Sequence, residues 1–445
     1  MLGRINELVE SKQYSLLRQE IVEYNEADIA AFLEELPEAE LIQIFRILPK
    51  DLAADVFAYL SIEVEQQIIK FLSDREASNI LDSLFADDAV DLLEEMPAIV
   101  VKRLLAGASP ETRRDINHLL QYPEDSAGSI MTVEFVDLKE HLTADEAIEK
   151  IRYEGVDKET IETCYVLDGK RRLIGAVSLR RLLLSPQDAK VGELMHENPI
   201  AVNTLTDQEE VAQMFSKYDF LSMPVVDSEN RLVGIITVDD IVDILQQEAT
   251  EDIEMMAAIT PTDTPYMKTG VFITFRKRIP WLLLLMVSAT FTGQIIQSYE
   301  NALAAYVVLT SFIPMLMDTG GNAGSQSSVT IIRGLSLNEI EFCDVFRVLW
   351  KEMRVAVLCG VTLAAANFIK LLTIDRVGVW IAFVVCITLV IVVVIAKLVG
   401  CTLPILAKKI GFDPAVMASP FITTIVDAIA LFVYFKIAIV LLHIG

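Results

Sequence analysis

Between residues 28 and 109 the apolar and polar positions recur every 12 residues. Pro37, Pro49, Ser61, Ser73, Phe85, Pro97 and Ser109 share one phase. One position earlier stand Leu36, Leu48, Leu60, Leu72, Leu84, Met96 and Ala108, and four earlier stand Leu33, Phe45, Phe57, Ile69, Leu81, Leu93 and Leu105. Apolar residues three or four apart, closed by Pro or Ser, predict one short helix and one turn per repeat. Stacked short helices make an α-helical solenoid with its acids pointing outward. Over residues 127–248 the pattern changes to a duplicated unit of short apolar strands between helices. Ala127 to Met131 is echoed by Val191 to Met195, Leu142 to Ile148 by Leu205 to Val211, and Tyr165 to Asp168 by Pro224 to Asp227. An acidic helical stretch then runs to Met256 and breaks at Pro261 and Pro265. Beyond it come five apolar stretches, at 280–298, 302–332, 355–372, 377–399 and 415–442. Each is long enough to cross a hydrocarbon core of about 30 Å. The expected division is a helical N domain over 1–125, the duplicated α/β pair over 126–248, a connecting helix over 249–275, and a five-span α-helical membrane domain over 276–445.

Charge sharpens this division. The chain carries 37 Lys/Arg and 63 Asp/Glu, a net charge of −26, and its mean hydropathy is +0.44. From Arg276 onward there are 13 basic and 9 acidic residues, which leaves 24 basic and 54 acidic residues before it. A soluble half this acidic excludes nucleic-acid binding and calls for cations or basic partners. Arg276, Lys277, Arg278, Arg333, Arg347, Lys351, Arg354, Lys408 and Lys409 fall on one side of the five stretches, and Lys370 and Arg376 on the other. The positive-inside rule then puts the acidic half in the cytoplasm of a multi-pass cell-membrane protein, with the C-terminus outside. Lys397 and Lys436 lie within spans, where snorkelling or packing accounts for them. The five cysteines form no CxxC pair, as expected of a reducing cytosol, and the polar N-terminus does not look like a cleavable signal.

The chemistry concentrates on carboxylates. Asp427 is a single acid near the middle of the last apolar stretch, a costly place unless it faces a partner or a water-filled path. The second stretch carries Pro314, Asp318, Gly320, Gly321, Asn322 and Gly324. Pro314 is expected to kink it. Its glycines allow either close helix approach or exposed backbone carbonyls suited to a hydrated cation. In the N domain Asp87 and Asp91 share a helix face, and Asp55 occupies the repeat phase of Asp91. Such acids form either a solvated face or a site for a hard cation.

These residues carry two resemblances. The duplicated unit resembles a tandem CBS pair, a regulatory module that often holds adenine nucleotides. The pattern from Gly234 through Thr237 to Asp240 is similar to its nucleotide motif, whereas the first copy has Arg181 where the acid would stand. The membrane segment resembles the MgtE family of Mg²⁺ channels. The likeness rests on Ile279 to Gly293, the Asp318 to Gly324 segment, the stretch from Pro420 to Asp427 and the order of all four regions. It implies a homodimer in a lipid bilayer, a pore lined by the second and fifth spans, and hydrated Mg²⁺ at Asp427. It also implies regulatory Mg²⁺ on Asp55, Asp87 and Asp91, and on Asp227, Asp239, Glu248, Glu251 and Asp252. Glu352, at the start of the third span, is a further ion-site candidate.

The expected function is a Mg²⁺ channel or transporter, closed by cytosolic Mg²⁺ on the N domain, CBS pair and connecting helix. Without an ATP-hydrolysis motif, the membrane potential would drive entry, at roughly 4.6 kcal/mol per 100 mV for a divalent ion. The alternative is a CBS-regulated secondary transporter of another divalent cation or small solute. An enzyme is not expected, because His118, His141, His196 and His443 are scattered and no nucleophile–base arrangement stands out.

Overall fold

The structure is a computed structural model of the 445-residue chain. It describes residues 3–262, 266–267, 269–417 and 419–443. The chain divides into two compact units, Met1–Leu245 and Gln246–Gly445.

The first unit opens with short helices: α1 (Gly3–Glu10), α2 (Tyr14–Glu20), α3 (Glu26–Glu34), α4 (Glu38–Phe45), α5 (Lys50–Ala58), α6 (Ile62–Phe71), α7 (Asp74–Leu81), α8 (Ala86–Glu94), α9 (Ala98–Gly107) and α10 (Pro110–Leu119). The 12-residue phase is the helix start. Pro37, Pro49, Ser61, Ser73, Phe85, Pro97 and Ser109 are the N-caps of α4 to α10 in turn. Proline's ring fixes φ near the value this position needs. Ser73 makes a full capping box with Glu76, and the Ser109 hydroxyl accepts from the Thr112 amide. Leu33, Phe45, Phe57, Ile69, Leu81 and Leu93 are buried. Helices two apart stack, α3 on α5 on α7 on α9, α4 on α6 and α8 on α10, so the repeats form the expected solenoid.

The duplicated region builds two sheets. The first has the order β1 (Phe135–Leu138), β2 (Thr160–Leu167), β3 (Leu173–Ser178) and β4 (His196–Glu197); the second has β5 (Val202–Asn203), β6 (Ser222–Val226) and β7 (Leu232–Thr237). Helices α11 (Ala144–Glu154), α12 (Leu179–Leu184), α13 (Val191–Leu194), α14 (Gln208–Tyr218) and α15 (Val238–Met256) complete it. The two copies exchange their leading segments. His196 and Glu197 pair with β3, while Thr132 bridges Ile235 in β7. A Cβ on Gly175 would meet the Met195 sulfur at 2.4 Å, and one on Gly234 the Met131 sulfur at 2.6 Å. The sequence echo that ends in Met131 and Met195 is therefore a matched pair of side chains, each laid over a glycine of the other copy.

In the second unit the long helices are α16 (Val271–Ser298), α18 (Ile313–Ser336), α19 (Val345–Thr373), α20 (Val379–Lys409) and α21 (Ser419–Leu442), with the short α17 (Glu300–Ala305) between the first two. Four helical segments are long and apolar enough to cross a membrane: Val271–Ser298, Phe342–Thr373, Val379–Lys409 and Pro414–Leu442. Among the described residues α18 is the long helix that fails this measure, because its Asp, Asn, Gln, Ser and Gly residues dilute it. Helix α20 is central and packs on α18, α19 and α21. The expected apolar run over 302–332 is not one helix. It breaks into α17, a 3₁₀ turn and α18. Pro314 kinks nothing; it lies in the first turn of α18, where its missing N–H has no intrahelical role.

Candidate functional site

Asp427 sits on α21 beside α18. One carboxylate oxygen, Oδ1, is buried and has no hydrogen-bond partner. Asp318 of α18 is its charged neighbour. Asp318, Asn322 and Gln326 succeed one another at four-residue steps along an exposed face of α18. Gly320, Gly321 and Gly324 are buried on other faces of that helix. A Cβ on Gly321 would lie 2.3 Å from Thr423 Cγ2 and 3.9 Å from Asp427 Oδ1. A Cβ on Gly320 would lie 2.7 Å from Val392 Cγ1, and one on Gly400 would lie 2.2 Å from the Gly324 carbonyl oxygen. The glycines thus let α18, α20 and α21 approach closely, and α18 stays helical through them. The arrangement brings two carboxylates, Asp318 of α18 and Asp427 of α21, near each other.

Glu352 and Lys397 meet further along. Lys397 is only 5% exposed. Its ammonium donates to Ser327 Oγ at 3.1 Å and lies 3.7 Å from Glu352 Oε2, and Ser327 donates to the same carboxylate oxygen at 2.7 Å. Lys397 is therefore packed and ion-paired. Lys436 is exposed, with its ammonium over the Phe432 ring.

The N-domain acids converge on the CBS pair within the first unit. Asp87 of α8 is 7% exposed. Burial, with Asp240, Asp88 and Glu159 nearby, pushes its carboxyl well above the usual range. Asp88 is pushed up to about 7 by burial, Asp240, Asp91 and Asp239. Glu159 is pushed up to about 8 by burial, Asp240 and Asp239, and its Oε2 is buried without a hydrogen-bond partner. Asp240 rises to about 6 through burial, against a hydrogen bond of 2.8 Å from Thr237. Asp91 rises to about 7 through desolvation and Glu94, although its side chain is exposed. Glu134 ties the parts together: its Oε2 accepts from Thr132 Oγ1 at 2.5 Å, the Val133 amide at 3.1 Å and the Ala86 amide at 3.5 Å. The leading charges on these groups are all carboxylates. Among the described residues no three ligand side chains form a ready cage. Pairs of acids with water suit Mg²⁺, which sheds its hydration reluctantly.

The other expected residues are spread out. Asp55 is exposed on α5, and Asp239 is exposed on α15. Asp227 is held by its own turn: Oδ1 accepts from the Glu229 and Arg231 amides, and Oδ2 lies 2.8 Å from Arg231 Nε. Glu248 and Glu251 are half-buried on α15. Asp252 accepts from Ser336 Oγ at 3.1 Å and is raised by burial and by Asp413. Nearby, Met255 and Met256 pack on Ile332 and Ala415. The sequence pattern does not single out Asp88, Glu134, Glu159 or Asp413. Asp88 adjoins Asp87 and is within reach of that pattern; the others lie outside the repeat phase and carry no signal.

Residues 24–125 match the family described as the MgtE intracellular N domain, residues 127–187 and 191–247 match the CBS domain, and residues 313–437 match the family described as divalent cation transporter. The magnesium transporter MgtE of Thermus thermophilus is 39% identical over 367 residues, 80% of each chain. The chain belongs to the MgtE family. The magnesium transporter MgtE of Bacillus subtilis is 35% identical over 80% of this chain and 78% of its own. A solved cytosolic domain of the Mg²⁺ channel MgtE in complex with ATP is 38% identical, with a TM-score of 0.53, covering 55% of this chain and all of that one. The MgtE membrane match starts with α18 and ends within α21, so it spans the helices that bring Asp318 and Asp427 together.

Proposed function

We propose that this chain forms a homodimeric, Mg²⁺-selective channel of the cell membrane, importing magnesium down the membrane potential and closed by cytosolic Mg²⁺. The observation that carries the pore is the buried, unpartnered Oδ1 of Asp427 beside Asp318. An acid left so within a membrane segment is costly without a cation, and two copies across a dimer axis would hold one hydrated ion between them. Asp318 and Asn322 line the approach, while Gly320 and Gly321 act through close packing. On this reading α18 is a fifth, polar span, and the positive-inside rule supports a cytoplasmic N-terminal half with the C-terminus outside.

The crowded acids supply the sensor. Asp87, Asp88, Glu159 and Asp240 fit a divalent ion because they are desolvated and mutually repulsive, and one oxygen is orphaned; Asp91, Glu134 and Asp239 stand beside them. Mg²⁺ there draws the N domain to the CBS pair, and Asp252 with Asp413 offers a second acidic pair at the end of α15. Asp55, Asp227, Glu248 and Glu251 are weaker candidates. Adenine nucleotide at Thr237 and Asp240 is a further regulator, supported by the ATP complex of the similar cytosolic domain. Asp427→Ala, tested for Mg²⁺ flux in proteoliposomes, is expected to abolish uptake while the protein still assembles; retained uptake overturns the pore assignment.

A further inference from the structure

A buried cation in the wall of a cation channel is a liability. Lys397 is that cation, and its role rests on the pore assigned to Asp427. On α18, Gly321 packs beside Asp427, Gly324 beside Ala396 of α20, and Ser327 bonds Lys397. Those positions climb in three-residue steps, so Lys397 stands roughly 9 Å along the helix axis from the level of Asp427. At that distance, with low-dielectric walls, an uncompensated positive charge raises the energy of a divalent ion twice as much as that of a monovalent one. Glu352 is only 13% exposed at its side chain, and Ser327 hydrogen-bonds both partners.

We propose that Glu352, positioned by Ser327, is the counter-ion that hides Lys397 from the permeating Mg²⁺. Its carboxylate is engaged internally, so it acts on transport through Lys397 and not by coordinating the ion. The pair also fixes the junction of α18, α19 and α20, which one residue from each helix forms.

The two roles separate by sign. In full-length protein reconstituted in liposomes, Glu352→Gln unmasks Lys397 and raises the KM for Mg²⁺ influx on the order of tenfold. Lys397→Met leaves an uncompensated acid and lowers that KM. The double variant Lys397→Met with Glu352→Gln returns it toward the wild-type value. A purely structural knot moves both single variants in the same direction, with the double variant no better; that result overturns the proposal. If Glu352→Gln fails to assemble by size-exclusion chromatography, the exchange Lys397→Glu with Glu352→Lys is measured. A wild-type KM there supports the proposal, and a shifted KM overturns it. Asp427→Ala run alongside distinguishes the failures: uptake that survives in it defeats the pore reading, whereas same-direction shifts with Asp427→Ala silent defeat the counter-ion alone.

Discussion

Asp427 and Glu159 share a property at the residue scale. Each has a buried carboxylate oxygen without a hydrogen-bond partner among the described residues. Burying such a group without compensation is costly, and a cation relieves that cost. The sensor acids make this testable by pH. Asp88 and Asp91 are raised to about 7 and Glu159 to about 8, well above their unfolded values. The folded, metal-free unit therefore binds more protons than the unfolded chain. Its stability is greatest below the unfolded pKa values, and it falls as pH rises through 7 to 8. Without Mg²⁺ the cytosolic half should melt at a lower temperature at pH 8 than at pH 6, by scanning calorimetry. Added Mg²⁺ should raise the melting temperature more at pH 8. Glu159→Gln should raise the metal-free melting temperature by a few degrees and shrink the Mg²⁺ effect.

At the scale of elements, the glycine contacts set the spacing of α18, α20 and α21. Gly400→Ala places its new carbon against the Gly324 carbonyl, which is backbone and has no rotamer to yield. Overpacking of this kind costs about 1–3 kcal/mol. A lowered melting temperature in detergent, with reduced Mg²⁺ flux, is the expected result. This scale also marks what is legible in the sequence. The 12-residue phase marks every helix start from α4 to α10, because the cap, the buried residue and the turn recur together. The CBS echo is readable, but the cross-laid Met131 and Met195 are not, because a duplicated word does not say which copy it touches. The role of Pro314 is hidden because an apolar run conceals where a helix begins. Lys397 can be placed in a span from sequence, yet its partners on α18 and α19 are fixed only by packing. Asp413 and Glu159 are invisible for the same reason: each meets its charged neighbours only in three dimensions.

For the whole molecule, an acidic regulatory half and a nearly neutral membrane half divide sensing from conduction. On the proposed reading, many weak acidic sites, each with differential affinity for the closed form, would together produce a steeper response than any single site. Removing residues 1–125 deletes Asp87, Asp88 and Asp91, and should leave flux intact while weakening its suppression by Mg²⁺ on the cytoplasmic side. The most direct measurement is Mg²⁺ flux into proteoliposomes for wild type and Asp427→Ala, with Mg²⁺ varied on the side bearing the N-terminal half. A gated Mg²⁺ pore predicts flux that disappears in the variant and is shut off in the wild type by Mg²⁺ on that side. Flux that persists in Asp427→Ala and ignores that Mg²⁺ would contradict both the pore and the sensor.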